Sequence, residues 1–221
     1  MKRLLPALAL TFLLVACSKT VTLNVAFDSQ DPVRLDQLKA SLERVVVGRM
    51  ESKGKKVTKQ ALVTKDDATT LTVTVSDADG AQVLSDGLTT PFTMSIMKQV
   101  EAGLGDIISE KFGEFKETGI ETKHFDWVAP TLLVTEAGAS QGSVVLKFTP
   151  EGQTLLKEMF AKNRGSVIGV FVRGQLMSKK LIDAKDKQDA IQIDGIPSAD
   201  LANAFADDVN VGLHVTFTAA Q

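Results

Sequence analysis

Val145-Leu146-Lys147-Phe148-Thr149-Pro150-Glu151-Gly152-Gln153 passes from one periodicity to another, and its reading decides the fold. Ser143 to Phe148 has the apolar content of a strand. Thr149 then offers a side-chain oxygen at a helix N-cap, and Pro150 takes the first helical position, where the N–H it lacks has no intrahelical partner in any case. Leu155, Leu156, Met159 and Phe160 follow as one apolar stripe, and Gly165 ends the helix. Working outward, Ser166 to Val172 is an almost unbroken apolar run, the pattern of a strand buried on both faces. Arg173-Gly174 predicts a tight turn into a strand from Gln175 to Ile182. The charged loop Asp183 to Asp189 leads to a short strand, Ala190 to Asp194. Ser198 caps a helix carrying Leu201, Ala202 and Phe205. Val211, Leu213, Val215 and Phe217 then alternate as a last strand, which puts His214 on the opposite, solvated face.

The upstream half follows the same order. Thr22 to Phe27 alternates, with Leu23, Val25 and Phe27 on one face. Asp31 and Pro32 open a helix whose Leu35, Leu38, Leu42, Val45 and Val46 form a stripe, stopped at Gly54. Val57 to Val63 and Thr70 to Val75 read as strands joined by the polar turn Lys65-Asp66-Asp67. Ala78 to Ser85 is a short helix, and Pro91 to Met97 is a closing strand or a helix. Between the halves, Lys98 to Gln141 holds an expected helix, Ile107 to Phe115, and a strand around Trp127 and Leu132. The fold class is therefore α+β: two consecutive split βαβ, ferredoxin-like sandwiches, residues 17–97 and 143–221, joined by a connector, 98–142.

The single cysteine of the 221 residues, Cys17, ends an apolar run. Lys2 and Arg3 precede Leu4 to Val15, and Ala16 is small, which is the layout of an export signal; the run is too short to span a bilayer about 30 Å thick. An ordinary secretory signal or a lone core cysteine are the competing readings. The segment resembles the signals of bacterial lipoproteins, with Leu14-Val15-Ala16-Cys17 as the lipobox. That resemblance implies a signal peptide at 1–16, a diacylglycerol on the Cys17 thiol and an acylated (palmitoylated) new amino terminus, because one chain anchors only marginally and several anchor stably. Removing Lys2 and Arg3 with the signal takes the net charge from −2 to −4, a balance with no overall claim on nucleic acid or anionic lipid. Ser18 rather than an aspartate after Cys17 favours the outer membrane if the host is Gram-negative.

The sequence holds little that could be an active site. Gly138-Ala139-Ser140-Gln141-Gly142 matches a nucleophile elbow, but a strand follows it where that motif needs a helix. His124 and His214 are the only histidines, each expected on an alternating strand. With no free thiolate and no His/Glu pair at helical spacing, no metal site is expected. Asp66-Asp67 and Asp207-Asp208 are adjacent acids, expected to point apart into solvent with ordinary pKa values. Gly103-Leu104-Gly105 is too short for a dinucleotide loop. The chain is expected to be no enzyme and to bind no cofactor.

Val145 to Gln153, Gly169 to Ser178 and Ile193 to Ala202 together resemble the large periplasmic domain of SecD, a subunit of the bacterial protein-export machinery. In that family a strand enters a helix through Thr/Ser-Pro-Glu-Gly, a buried strand turns through a residue-Gly pair into a hairpin, and an Ile-x-Gly segment leads into an Ala/Leu helix. Residues 17–97 are similar to the SecD base and 143–221 to its head. Arg173 stands where the family usually has an acid, and Lys179-Lys180 where it has a small residue and proline. No apolar stretch follows Val215, so the proton-driven helices of that family have no counterpart in this sequence. The resemblance implies a membrane-anchored protein in the cell envelope that binds exported polypeptide or Sec translocase components. Arg173, Gly174 and Gln175 are its candidate contact residues, and an exposed sheet edge is a candidate docking strand. The alternative is a structural or assembly lipoprotein reusing the fold.

Overall fold

The computed structural model describes residues 18–66, 68–134, 140–183 and 189–220. Cys17 and the signal at 1–16 lie outside the described residues, as do Asp67 and the Gly138-Ala139 part of the elbow-like motif. The chain runs β1 (Lys19–Phe27), α1 (Pro32–Ser52), β2 (Val57–Lys65), β3 (Ala68–Val75), α2 (Ala78–Thr89), β4 (Met94–Val100), β5 (Ile107–Ser109), β6 (Gly113–Glu121) and a 3₁₀ turn (Thr122–His124). It continues through β7 (Phe125–Val134), β8 (Ser140–Phe148), α3 (Pro150–Lys162), β9 (Val167–Val172), β10 (Gln175–Leu181), β11 (Ala190–Ile196), α4 (Ala199–His214) and β12 (Val215–Ala219). Helices and antiparallel sheets are both present in quantity, as an α+β fold requires.

Local chemistry sets the helix ends where the sequence places them. The Asp31 carboxylate accepts from the N–H of Val33 at 2.8 Å ahead of Pro32, Thr149 Oγ1 accepts from Gly152 N, and Ser198 Oγ from Leu201 N. Each such cap stabilises its helix by about 1 kcal/mol. At the far end of α1, Gly54 takes a left-handed conformation (φ 68°). Lys55 N donates to Met50 O and Gly54 N to Glu51 O, the paired bonds of a Schellman stop. Gly152 in the Thr-Pro-Glu-Gly turn has a steric reason: a Cβ there would collide with the carbonyl oxygen of His124, which also accepts from Thr149 N at 3.0 Å.

The strands form three sheets, ordered β12-β1-β3-β2, β10-β9-β4-β6-β5 and β11-β8-β7. The first is the sheet of a split βαβ sandwich, with α1 and α2 burying Leu38, Leu42, Val46, Leu84 and Leu88 against Leu23, Leu71 and Val73. Its outer face presents Thr20, Thr22, Thr72, Thr74, Thr216 and Thr218 in register on neighbouring strands. Between the other two sheets lies a second core, built from Ile96, Ile120, Val144, Leu146, Ile168 and Val170 with Leu156 and Phe160 of α3. β9 is buried on both faces as its composition implies. Ile168 and Val170 enter that core, while Phe171 turns the other way to meet Phe115 edge-on at 5.1 Å.

The order along the chain corrects the expectation of two consecutive sandwiches. The strand from Met94 does not close the first sheet; it pairs with β9 and β6 in the second. The place beside β1 is taken instead by β12, with Val25 opposite Phe217. The strands expected within the second unit are distributed over all three sheets. The expected helix from Ile107 to Phe115 is the β5–β6 hairpin, in which Ile107 faces Phe115 across the ladder and both join one apolar cluster. Val211 to His214 belongs to α4, so the last strand starts only at Val215. α4 ties the halves together, giving Ala202, Ala206 and Val209 to the second core and Val211 to the first.

Candidate partner-binding groove

Where α1 and α4 cross at the junction of the halves, an open groove of about 1140 Å³ runs along β7. Val45, Val128, Ala129, Pro130 and Ala206 supply its apolar lining, Gln37 and Ala40 of α1 one wall, and Asn203 and Ala204 of α4 the other. Gly48 of α1 also lines it, and the space beside its Cα is open.

Ion pairs hold the two helices around this groove. Arg44 Nε donates to Asp207 at 2.7 Å, and Ser41 Oγ to the same carboxylate at 2.6 Å. Asp208, one residue on, receives Arg49 Nε at 2.7 Å and Arg173 Nη1 at 2.6 Å. Arg49 also donates to the carbonyl of Gly87 in α2, so it joins three helices. Burial pushes the Asp208 carboxyl up, but the bond from Arg173 and the charges of Arg49 and Arg173 outweigh it, and the group lies below the usual carboxylate range. The expectation of solvated loop acids at 207–208 is thereby corrected: both sit on a helix and both are paired.

The candidate contact residues 173–175 form the β9–β10 turn at the groove's end. Arg173 (φ 49°) and Gly174 (φ 74°) are both left-handed, the geometry of a type I′ hairpin turn. Gly174 and Gln175 are exposed. Arg173 turns back onto the molecule, its guanidinium held by Asp208 and lying 4.9 Å over the ring of Phe92. Lipid-site Cys17 is outside the described residues, so the structure brings together only the hairpin part of the expected site.

The edge of β7 bordering the groove is closed by side chains of α4. Buried Asn210 accepts from the N–H of Val128 and donates to its carbonyl, both at 2.8 Å, as a neighbouring strand would. One turn on, His214 Nε2 faces the carbonyl of Asp126 at 2.7 Å, and Pro130 has no N–H to offer. β10, an edge of the five-stranded sheet, carries a bulge at Met177 and also Lys179, both features that discourage strand addition.

A smaller recess of about 800 Å³ lies on the other side of Trp127. There Arg34 grips Asp126 with two bonds of 2.9 Å and lies 5.1 Å over the Trp127 ring, while His214 stacks on that ring at 5.4 Å. The bonds from Arg34 hold Asp126 below the ordinary carboxylate range. His214 Nδ1 meets Asp28 at 2.9 Å. Both ring nitrogens are occupied, so this His–Asp pair has none open to a substrate. The solvated histidine expected on a strand is instead the last residue of a helix, 12% exposed, joining β1, α4 and β7. His124 likewise lies in a 3₁₀ turn and is buried, its Nδ1 accepting from Glu121 N. Among the described residues no cluster of three or more His, Cys, Asp and Glu could hold a metal, and no helix is long and apolar enough to cross a membrane.

No protein-family model and no curated protein matches the chain. Among solved structures it is similar to SecDF in a super-membrane-facing form, at 15% identity and a TM-score of 0.49 over 91% of this chain and 29% of that one. It is also similar to a structure described as a membrane component SecDF that enhances protein export, at 15% identity and 0.47 over 92% and 98%. SecDF from Thermus thermophilus, described as a translocon-associated membrane protein, gives 14% identity and 0.45 over 91% and 30%. The chain thus spans less than a third of the length of the first and third of these proteins.

Proposed function

We propose that this chain is a non-enzymatic lipoprotein of the cell envelope, held by acyl chains on Cys17, whose groove receives extended polypeptide: an exported chain or a component of the Sec translocase. The observation that carries this reading is the open, apolar-lined groove at the junction of the two halves. A recess with small residues such as Ala40, Gly48, Ala129 and Ala204 along its walls suits an extended segment whose side chains vary. The paired rim charges fix the groove's width without presenting a net field, which suits clients of either charge. Arg173, Gly174 and Gln175 lie at its end, and Ser18 directs the anchor to the outer membrane in a Gram-negative host.

Photo-crosslinkers at Gln37, Asn203 and Gln175, read in cells by mass spectrometry, test the reading. The expected catch is many unrelated exported proteins or translocase subunits, and Gly48→Trp, which fills the groove from an open position, abolishes it. Capture of a single envelope protein, or of the chain alone, assigns the molecule to envelope assembly instead.

A further inference from the structure

The net negative charge conceals a basic end, and the fold sets that end beside the lipid anchor. Lys19 starts β1 opposite Val75 of β3, and Val75 in turn pairs with Val57 of β2. Lys56 precedes that row, its carbonyl accepting from Ser76 N at 3.1 Å, and Lys53 caps α1 immediately before it. Lys59 follows one step along β2, opposite Thr74. Lys19, Lys53, Lys56 and Lys59 are all exposed, and none makes an ion pair with a described residue. Lys55 does, with Asp77 at 3.1 Å. Glu51 and Asp79 are the neighbouring acids. The opposite end of the same sheet carries Asp28, Asp31 and Asp66 with Lys65 and Arg34, so the balance of charge shifts from basic to acidic along the strands.

Position makes this collar meaningful. One residue, Ser18, separates Cys17 from Lys19, so the two Cα atoms are at most about 7 Å apart. That is inside the screening length of about 8 Å at physiological salt. We infer that Lys19, Lys53, Lys56 and Lys59 form a membrane-facing collar that binds anionic phospholipid headgroups and stands the domain upright on its tether. The inference rests on acylation of Cys17. Each lysine near an anionic surface multiplies partition by about fivefold, and with Glu51 and Asp79 opposing, the net two charges give about twenty-five-fold.

The test is amine acetylation of the full lipidated chain in vesicles of phosphatidylcholine, with and without phosphatidylglycerol, quantified at each lysine by mass spectrometry. Phosphatidylglycerol is expected to slow acetylation of the four collar lysines several-fold, to leave Lys65 and Lys123 unchanged, and to lose this effect in high salt. Equal rates in the two vesicles, or equal protection of Lys65, overturn the collar while leaving the anchor intact. The intact mass of the same sample separates the two ideas: a chain without diacylglycerol on Cys17 overturns the anchor and the collar with it. The variant carrying Lys→Gln at all four positions changes only exposed side chains and is expected to partition equally into vesicles with and without phosphatidylglycerol.

Discussion

Replacing Asn210 by alanine removes the side chain that stands in for a strand along β7. The two 2.8 Å bonds to Val128 vanish together, and Val128 is fully buried, so water cannot replace them. A buried N–H and a buried C=O left unpaired cost about 1–3 kcal/mol each, which gives a loss of about 2–6 kcal/mol. Against a total stability of about 5–15 kcal/mol this is severe. Urea denaturation followed by the fluorescence of Trp127, the single tryptophan and the residue before Val128, reads it directly. The midpoint is expected to fall by about 1 M or more. Asn210→Asp keeps an acceptor for the N–H but offers the carbonyl no donor and buries a charge, so it is expected to be at least as damaging. Asn203→Ala, on the exposed wall of the groove, is the control and is expected to stay within about 0.5 kcal/mol of the parent. A change in Asn210→Ala no larger than that control refutes the idea that α4 completes the sheet edge.

Asp208→Ala leaves Arg49 and Arg173 facing each other without their shared carboxylate, and a loss of about 1–3 kcal/mol is expected in the same denaturation assay. Gly152→Ala drives a methyl group into the His124 carbonyl and is expected to cost about 1–3 kcal/mol, seen as a lowered thermal midpoint. Asp126 and Asp208 are both depressed in the folded state, so the fold binds protons less readily than the unfolded chain. Their stabilisation is complete above the ordinary aspartate range near pH 4 and is lost as pH falls through their folded values. Asp126→Asn is accordingly expected to flatten the acid side of a stability–pH curve, with no change in slope refuting that assignment.

Elements bounded by their own chemistry were legible in the sequence. Asp31-Pro32, Thr149-Pro150 and Ser198 mark helix starts because a cap is satisfied within three residues. The turn at Arg173-Gly174 was legible for the same reason. What failed depended on partners far along the chain. Ile107, Ile108, Phe112 and Phe115 are spaced for a helix, yet a hairpin buries Ile107 and Phe115 equally well once sheet neighbours exist. Val211 and Leu213 alternate with Val215 and Phe217, but α4 has two cores to satisfy and carries the helix through to His214. The groove is legible in no single segment of the sequence. Its walls come from residues 37–52 and 200–210, whose meeting no local pattern encodes, and Asn210 gave no signal beyond being a polar residue in an apolar helix.

The pairing of β1 with β12 also sets a schedule. Val25 waits for Phe217, so the first strand to emerge during synthesis has one bare edge until the last strand arrives. At about 5–20 residues per second that interval is on the order of ten to forty seconds. During it, Leu23 and Val25 lie on a sheet that cannot close, a long-range closure of the kind that slows folding and invites mispairing. A chain truncated before Val215 would keep every helix and still lack the strand that joins its beginning to its end. Such a product keeps a bare sheet edge and is prone to aggregation and proteolysis, and only the arrival of the last strand removes that edge.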